Sequence, residues 1–62
     1  MMARSDLMTF WKFLTDVNFT GSPSKLTEDE LRHMGRKAGR FEHEIEAVLR
    51  GYREMLKNGE EG

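Results

Sequence analysis

Residues 26–49 read LTEDELRHMGRKAGRFEHEIEAVL, and this stretch decides the fold. It opens with a helix start signal. Thr27 is placed as an N-cap, and Glu30 stands at the third helical position. In such a capping box each side chain satisfies a backbone N–H that the first helical turn leaves without a partner. Leu26 and Leu31 occupy the two positions of a hydrophobic staple. Glu28, Asp29 and Glu30 put negative charge at the positive end of the helix dipole. The spacing predicts a helix over 27–38, with Gly39 as the left-handed residue beyond its last turn.

Downstream of the turn, Phe41, Ile45, Val48, Tyr52 and Met55 step by four and three. That alternation is the seam of a short helix pairing. Leu49 and Leu56 widen it into a core-facing stripe, and the predicted helix spans 40–57. Glu46 and Arg50 are spaced as an i,i+4 ion pair. Gly51 falls inside this helix, where it costs about 1 kcal/mol relative to Ala. Its presence there points to the close approach of another backbone.

Upstream, residues 18–25 (NFTGSPSK) form the clearest loop, rich in Gly, Ser and Pro. Before it, Leu7, Phe10, Trp11, Leu14 and Val17 lie on one stripe at helical spacing, flanked by Met8 and Phe13. This predicts a first helix over 6–17, with Ser5 as its N-cap. β-branched residues are few and never alternate over a strand-length window. The chain therefore reads as all-α, a compact three-helix domain covering 1–62, with 1–4 and 58–62 expected to fray. The expected core is Leu7, Phe10, Trp11, Leu14, Val17, Phe19, Leu26, Leu31, Met34, Ala38, Phe41, Ile45, Val48, Leu49, Tyr52 and Met55.

Composition narrows the classes of function. With 62 residues the chain makes one small domain at most, and domains of this size are marginal alone. There is no Cys, which removes disulfides and thiolate metal sites. Charged residues are 34% and the net charge is −1, whereas nucleic-acid-binding domains are usually basic. No apolar run approaches the ~20 residues that span a bilayer. Asp6, Lys12 and Asp16 interrupt the apolar start of the chain, so it lacks a signal-peptide core. A cytoplasmic protein is expected.

The candidates for chemistry are few. His43 begins a sequence like the zinc motif H-E-x-x-H, but position 47 is Ala. His33 could meet His43 across the turn, near Glu42 or Glu46, as a low-specificity metal site. Both His residues also fit simple solvated faces. The NFT triplet at 18–20 matches a glycosylation acceptor. Its structural reading is that Asn18 ends the first helix and Phe19 tucks under the loop. No catalytic constellation is evident, so no enzyme, cofactor or small-molecule substrate is expected.

Residues 31–49 resemble the helix-turn-helix of DNA-binding regulators. By position, Gly35 would be the small residue of its first helix and Gly39 its turn glycine. Ile45 and Val48 would be the buried residues of its recognition helix. The place after the turn glycine, usually apolar, holds Arg40, with Phe41 one position later. The resemblance implies a dimeric DNA binder using Arg32, Arg36, Lys37, Arg40 and His43. A recognition helix turns its N-terminal residues toward base edges between rows of phosphates. Here those residues include Glu42, Glu44 and Glu46, which repel phosphate. The leading expectation is instead a non-enzymatic helical module that binds another protein, or itself as a homodimer. The candidate contact residues are Met8, Trp11, Phe13 and Leu56. The DNA-binding reading is the alternative.

Overall fold

The computed structural model describes residues 3–58, which form three α-helices and no strand. α1 spans Ala3–Asp16, α2 Glu28–Lys37 and α3 Glu42–Asn58, with a 3-10 turn at Pro23–Lys25 inside the loop. α1 starts about a turn earlier than expected, so Ser5 lies within the helix and does not cap it. Ala3 and Arg4 are good helix formers, and nothing before Asp6 breaks the pattern. Ala3, Arg4 and Asn58 are helical; the rest of the fraying expected at the ends lies outside the described residues.

Both α1 and α2 end in the same motif. Asn18 takes a left-handed φ of 56° and Gly39 one of 78°. The Phe19 N–H donates to Leu14 C=O at 2.9 Å and Asn18 N–H to Thr15 C=O at 3.1 Å. At the end of α2, Arg40 N–H donates to Gly35 C=O at 2.9 Å and Gly39 N–H to Arg36 C=O at 3.0 Å. These paired bonds are Schellman motifs, which satisfy carbonyls that a helix end leaves open. In α1 the motif sets Phe19 back over Leu14, under the loop. The capping box of α2 is complete: Glu30 N–H donates to Thr27 Oγ1 at 3.1 Å, and Thr27 N–H to Glu30 Oε1 at 3.0 Å.

α3 is the central helix. It packs along α1 and against α2, which themselves meet very little. It runs antiparallel to both. Asp6 lies beside Arg50 and Asp16 beside Arg40, while Glu28 meets Arg53 and Arg36 meets Glu42. Two glycines set the distances. A Cβ on Gly35 would fall 2.7 Å from Ile45 Cγ1, and one on Gly51 would fall 2.6 Å from Phe10 Cβ and overlap the Asp6 carbonyl. The close backbone approach expected at Gly51 is therefore present.

Phe10, Leu31, Ile45, Leu49 and Met55 form the fully buried centre. Phe10 meets Trp11 edge-on at 5.1 Å and Tyr52 at 5.9 Å between ring centroids. The Tyr52 hydroxyl, which enters this apolar centre, donates to the Leu26 carbonyl. Leu7, Trp11, Val17, Phe19 and Met34 pack on the centre but stay partly open.

Several expectations need correction. Phe13, expected on the surface, is 4% exposed. The Gly51 contact brings the edge of α1 carrying Asp6, Phe10 and Phe13 onto α3, which buries Phe13 and leaves Trp11 half out. Phe41, expected in the core, is 69% exposed. α3 begins only at Glu42, so Phe41 is its N-cap and leaves the helical stripe; its N–H donates to Glu44 Oε1 at 3.3 Å. Ala38 is exposed because it is the C-cap residue, past the last turn of α2 that faces the core. Glu46 pairs across helices with Arg32 at 3.9 Å, and Arg50 with Asp6 at 3.3 Å, in place of the expected i,i+4 pair.

Candidate functional site

The exposed apolar surface is not where the stripe pattern placed it. Met8 is 65% and Leu56 45% exposed, and they sit on different helices. Phe13 is buried and contributes little surface, at the floor of a cleft between α1 and α3. Trp11 is half-buried and lines a shallow groove with Leu14, Thr15, Phe19, Gly21 and Pro23.

That groove is one of three that share Phe19. A second is lined by Val17, Phe19, Met34, Lys37 and Ala38. The third is lined by Phe19, Leu26, Asp29, Glu30, His33 and Met34. Phe19 borders all three, and the two that also share Met34 form a depression with the outer face of α2 as one wall. The local sequence explains it. The Schellman motif at Asn18 aims Phe19 at Leu14, and the 3-10 turn at Pro23–Lys25 returns the chain to Leu26 before α2 begins. α2 turns Leu31 and Gly35 toward α3, which leaves Met34 facing Phe19. Phe19 and Met34 were expected as plain core residues. Their half-exposure depends on how far the loop closes over α2, and residue spacing does not encode that.

The five residues of the DNA-binding alternative are divided among different surroundings. Arg32 meets Glu46 at 3.9 Å, Arg36 meets Glu42 at 3.4 Å, and Arg40 meets Asp16 at 2.8 Å. Arg40 also lies over the Phe13 ring, 5.7 Å from its centroid. Lys37 lines the Phe19 depression. His43 stacks on Phe41 with ring centroids 5.8 Å apart, and it borders a separate cleft between α1 and α3. His33 and His43 thus face different grooves. At the α2–α3 corner Gly35 lies against Ile45 and Gly39 takes the left-handed turn, but the two helices run antiparallel, whereas those of a helix-turn-helix cross at about 90–120°.

A further ion pair ties α2 to α3. Arg53 holds Glu28 with two bonds, at 2.9 Å and 3.0 Å. This hydrogen bond, helped by the charges of Arg53 and Arg32, holds the Glu28 carboxyl below its ordinary value. The same bond holds the Arg53 guanidinium above its own. Asp29, His33 and Lys37, on the outer face of α2, have no ion-pair or hydrogen-bond partner among the described residues. No described helix is long and apolar enough to cross a membrane. Comparison with protein families, with characterised proteins and with solved structures returns no match.

Proposed function

We propose that this chain is a non-enzymatic interaction module that binds a helix of a protein partner in the depression around Phe19. The observation that carries this is the meeting of three grooves on one half-buried aromatic ring, with Met34 and Trp11 beside it. Helix-in-groove recognition needs an apolar floor for side chains spaced at i, i+3 and i+4, and polar groups at the rim to fix orientation. Val17, Phe19, Leu26 and Met34 provide the floor. Asp29, Glu30, His33 and Lys37 provide the rim.

The test is a titration of the dilute monomer with the apolar dye ANS, followed by amide NMR. The expected result is shifts at Val17, Phe19, Leu26, Met34 and Ala38, with quenching of Trp11, the single tryptophan. Met34→Glu should abolish both. Shifts confined to the neighbourhoods of Met8 and Leu56 would contradict the reading.

A further inference from the structure

We infer that the occupant of the Phe19 depression is a second copy of this chain, with α2 packed antiparallel on its symmetry mate. The inference rests on the reading of that depression as a docking site. Its own evidence is the order of charge along α2. The face that borders the depression carries Asp29 and Glu30 at its start, His33 and Met34 at its middle, and Lys37 at its end. Asp29 and Lys37 are about 12 Å apart along the axis, at ~1.5 Å per residue.

A two-fold axis through the middle of this face superposes the face on itself in reverse. His33 and Met34 then lie near the axis, against their own copies. Asp29 and Glu30 of one chain face Lys37 of the other, twice. Interfaces of two-fold dimers require this self-complementarity. The charges involved are also the ones that α2 leaves uncommitted. Every arginine from Arg32 to Arg53 has a carboxylate of its own chain within 4 Å. Asp29 and Lys37 have none among the described residues. Glu30 gives one oxygen to the capping box, so its other oxygen is available to the mate. An unrelated partner would need its own matching charge order, whereas a second copy has it by construction.

Charge reversal tests this without touching the apolar floor or the cap. The variants are Asp29→Lys and Lys37→Glu, in sedimentation equilibrium at low salt. Wild type should shift from monomer to twice the monomer mass as concentration rises. Each variant alone juxtaposes like charges twice and should dissociate about tenfold more readily or worse. An equimolar mixture restores opposite charges across the axis and should recover the dimer as a heterodimer. A wild type that stays monomeric at all concentrations overturns the inference, as does a mixture no tighter than its components. If dye still maps to the Phe19 depression in that event, the docking site stands and only the second copy falls. If it does not, both fall.

Discussion

Gly51 of α3 lies against the backbone carbonyl of Asp6 in α1, with Phe10 Cβ 2.6 Å from where its own Cβ would stand. This contact fixes how deeply α1 settles on α3 and which edge of α1 is buried. The obstacle is backbone, which does not rotate away. Gly51→Ala is therefore expected to destabilise by about 1–3 kcal/mol, the usual cost of overpacking. That loss stands even though Ala is the better helix former. Gly35→Ala meets first the Ile45 side chain, not backbone, and should cost less. Urea unfolding midpoints of the two variants give the order.

The burial of Phe13 separates it from Met8, its neighbour in the expected contact set. Phe13→Ala removes a buried ring and should cost about 3–5 kcal/mol, enough to unfold most of a domain this small. Met8→Ala changes an exposed side chain and should stay within about 0.5 kcal/mol of wild type. Thermal melts followed by circular dichroism distinguish them.

Much of the fold was legible from residue spacing. The capping box at Thr27 and Glu30, the turn at Gly39 and the α3 stripe follow from local chemistry that tertiary contacts did not override. The meaning of Gly51 was legible too. What spacing could not supply was rotation. A stripe of apolar residues says that a helix has a buried side, but the wide stripe of α1 allows more than one. The glycine contact settles it, burying Phe13 and half-exposing Trp11. Phe41 keeps the spacing of the α3 stripe but caps the helix, so it stands outside the core. The Phe19 depression needed the loop conformation, which depends on the left-handed Asn18.

Glu28 titrates below the ordinary glutamate value of 4.5 because Arg53 bonds it. Its folded value is lower than its unfolded one. The stabilisation is therefore fully present above the unfolded value and is lost as pH falls through the folded one. Carboxyl carbon NMR on wild type and Arg53→Met checks it. The Glu28 midpoint should rise toward the ordinary value in the variant, and the acid-unfolding midpoint should move to higher pH.

The arginines of the expected basic stripe already face carboxylates, so the α2–α3 corner offers phosphates little uncompensated charge. Binding to nucleic acid depends on releasing counterions from phosphates that cations neutralise. An amide NMR titration with mixed-sequence duplex DNA should leave residues 32–46 unshifted at moderate salt. Joint shifts there that fade steeply with added salt would support the helix-turn-helix alternative.

The most direct test of the account uses the absence of cysteine from the chain. A single thiol is introduced by Met34→Cys, and in a control by Met8→Cys at the more exposed position. Both are oxidised at equal, low protein concentration, and covalent dimer is followed in time. If α2 pairs with its mate about an axis near His33 and Met34, the thiol at 34 cross-links rapidly and excess unlabelled wild-type chain slows it. The thiol at 8 cross-links only at the slow rate of random encounter. Equal rates at the two positions, or faster linkage through position 8, would contradict the claim that a second copy of this chain docks at the Phe19 depression.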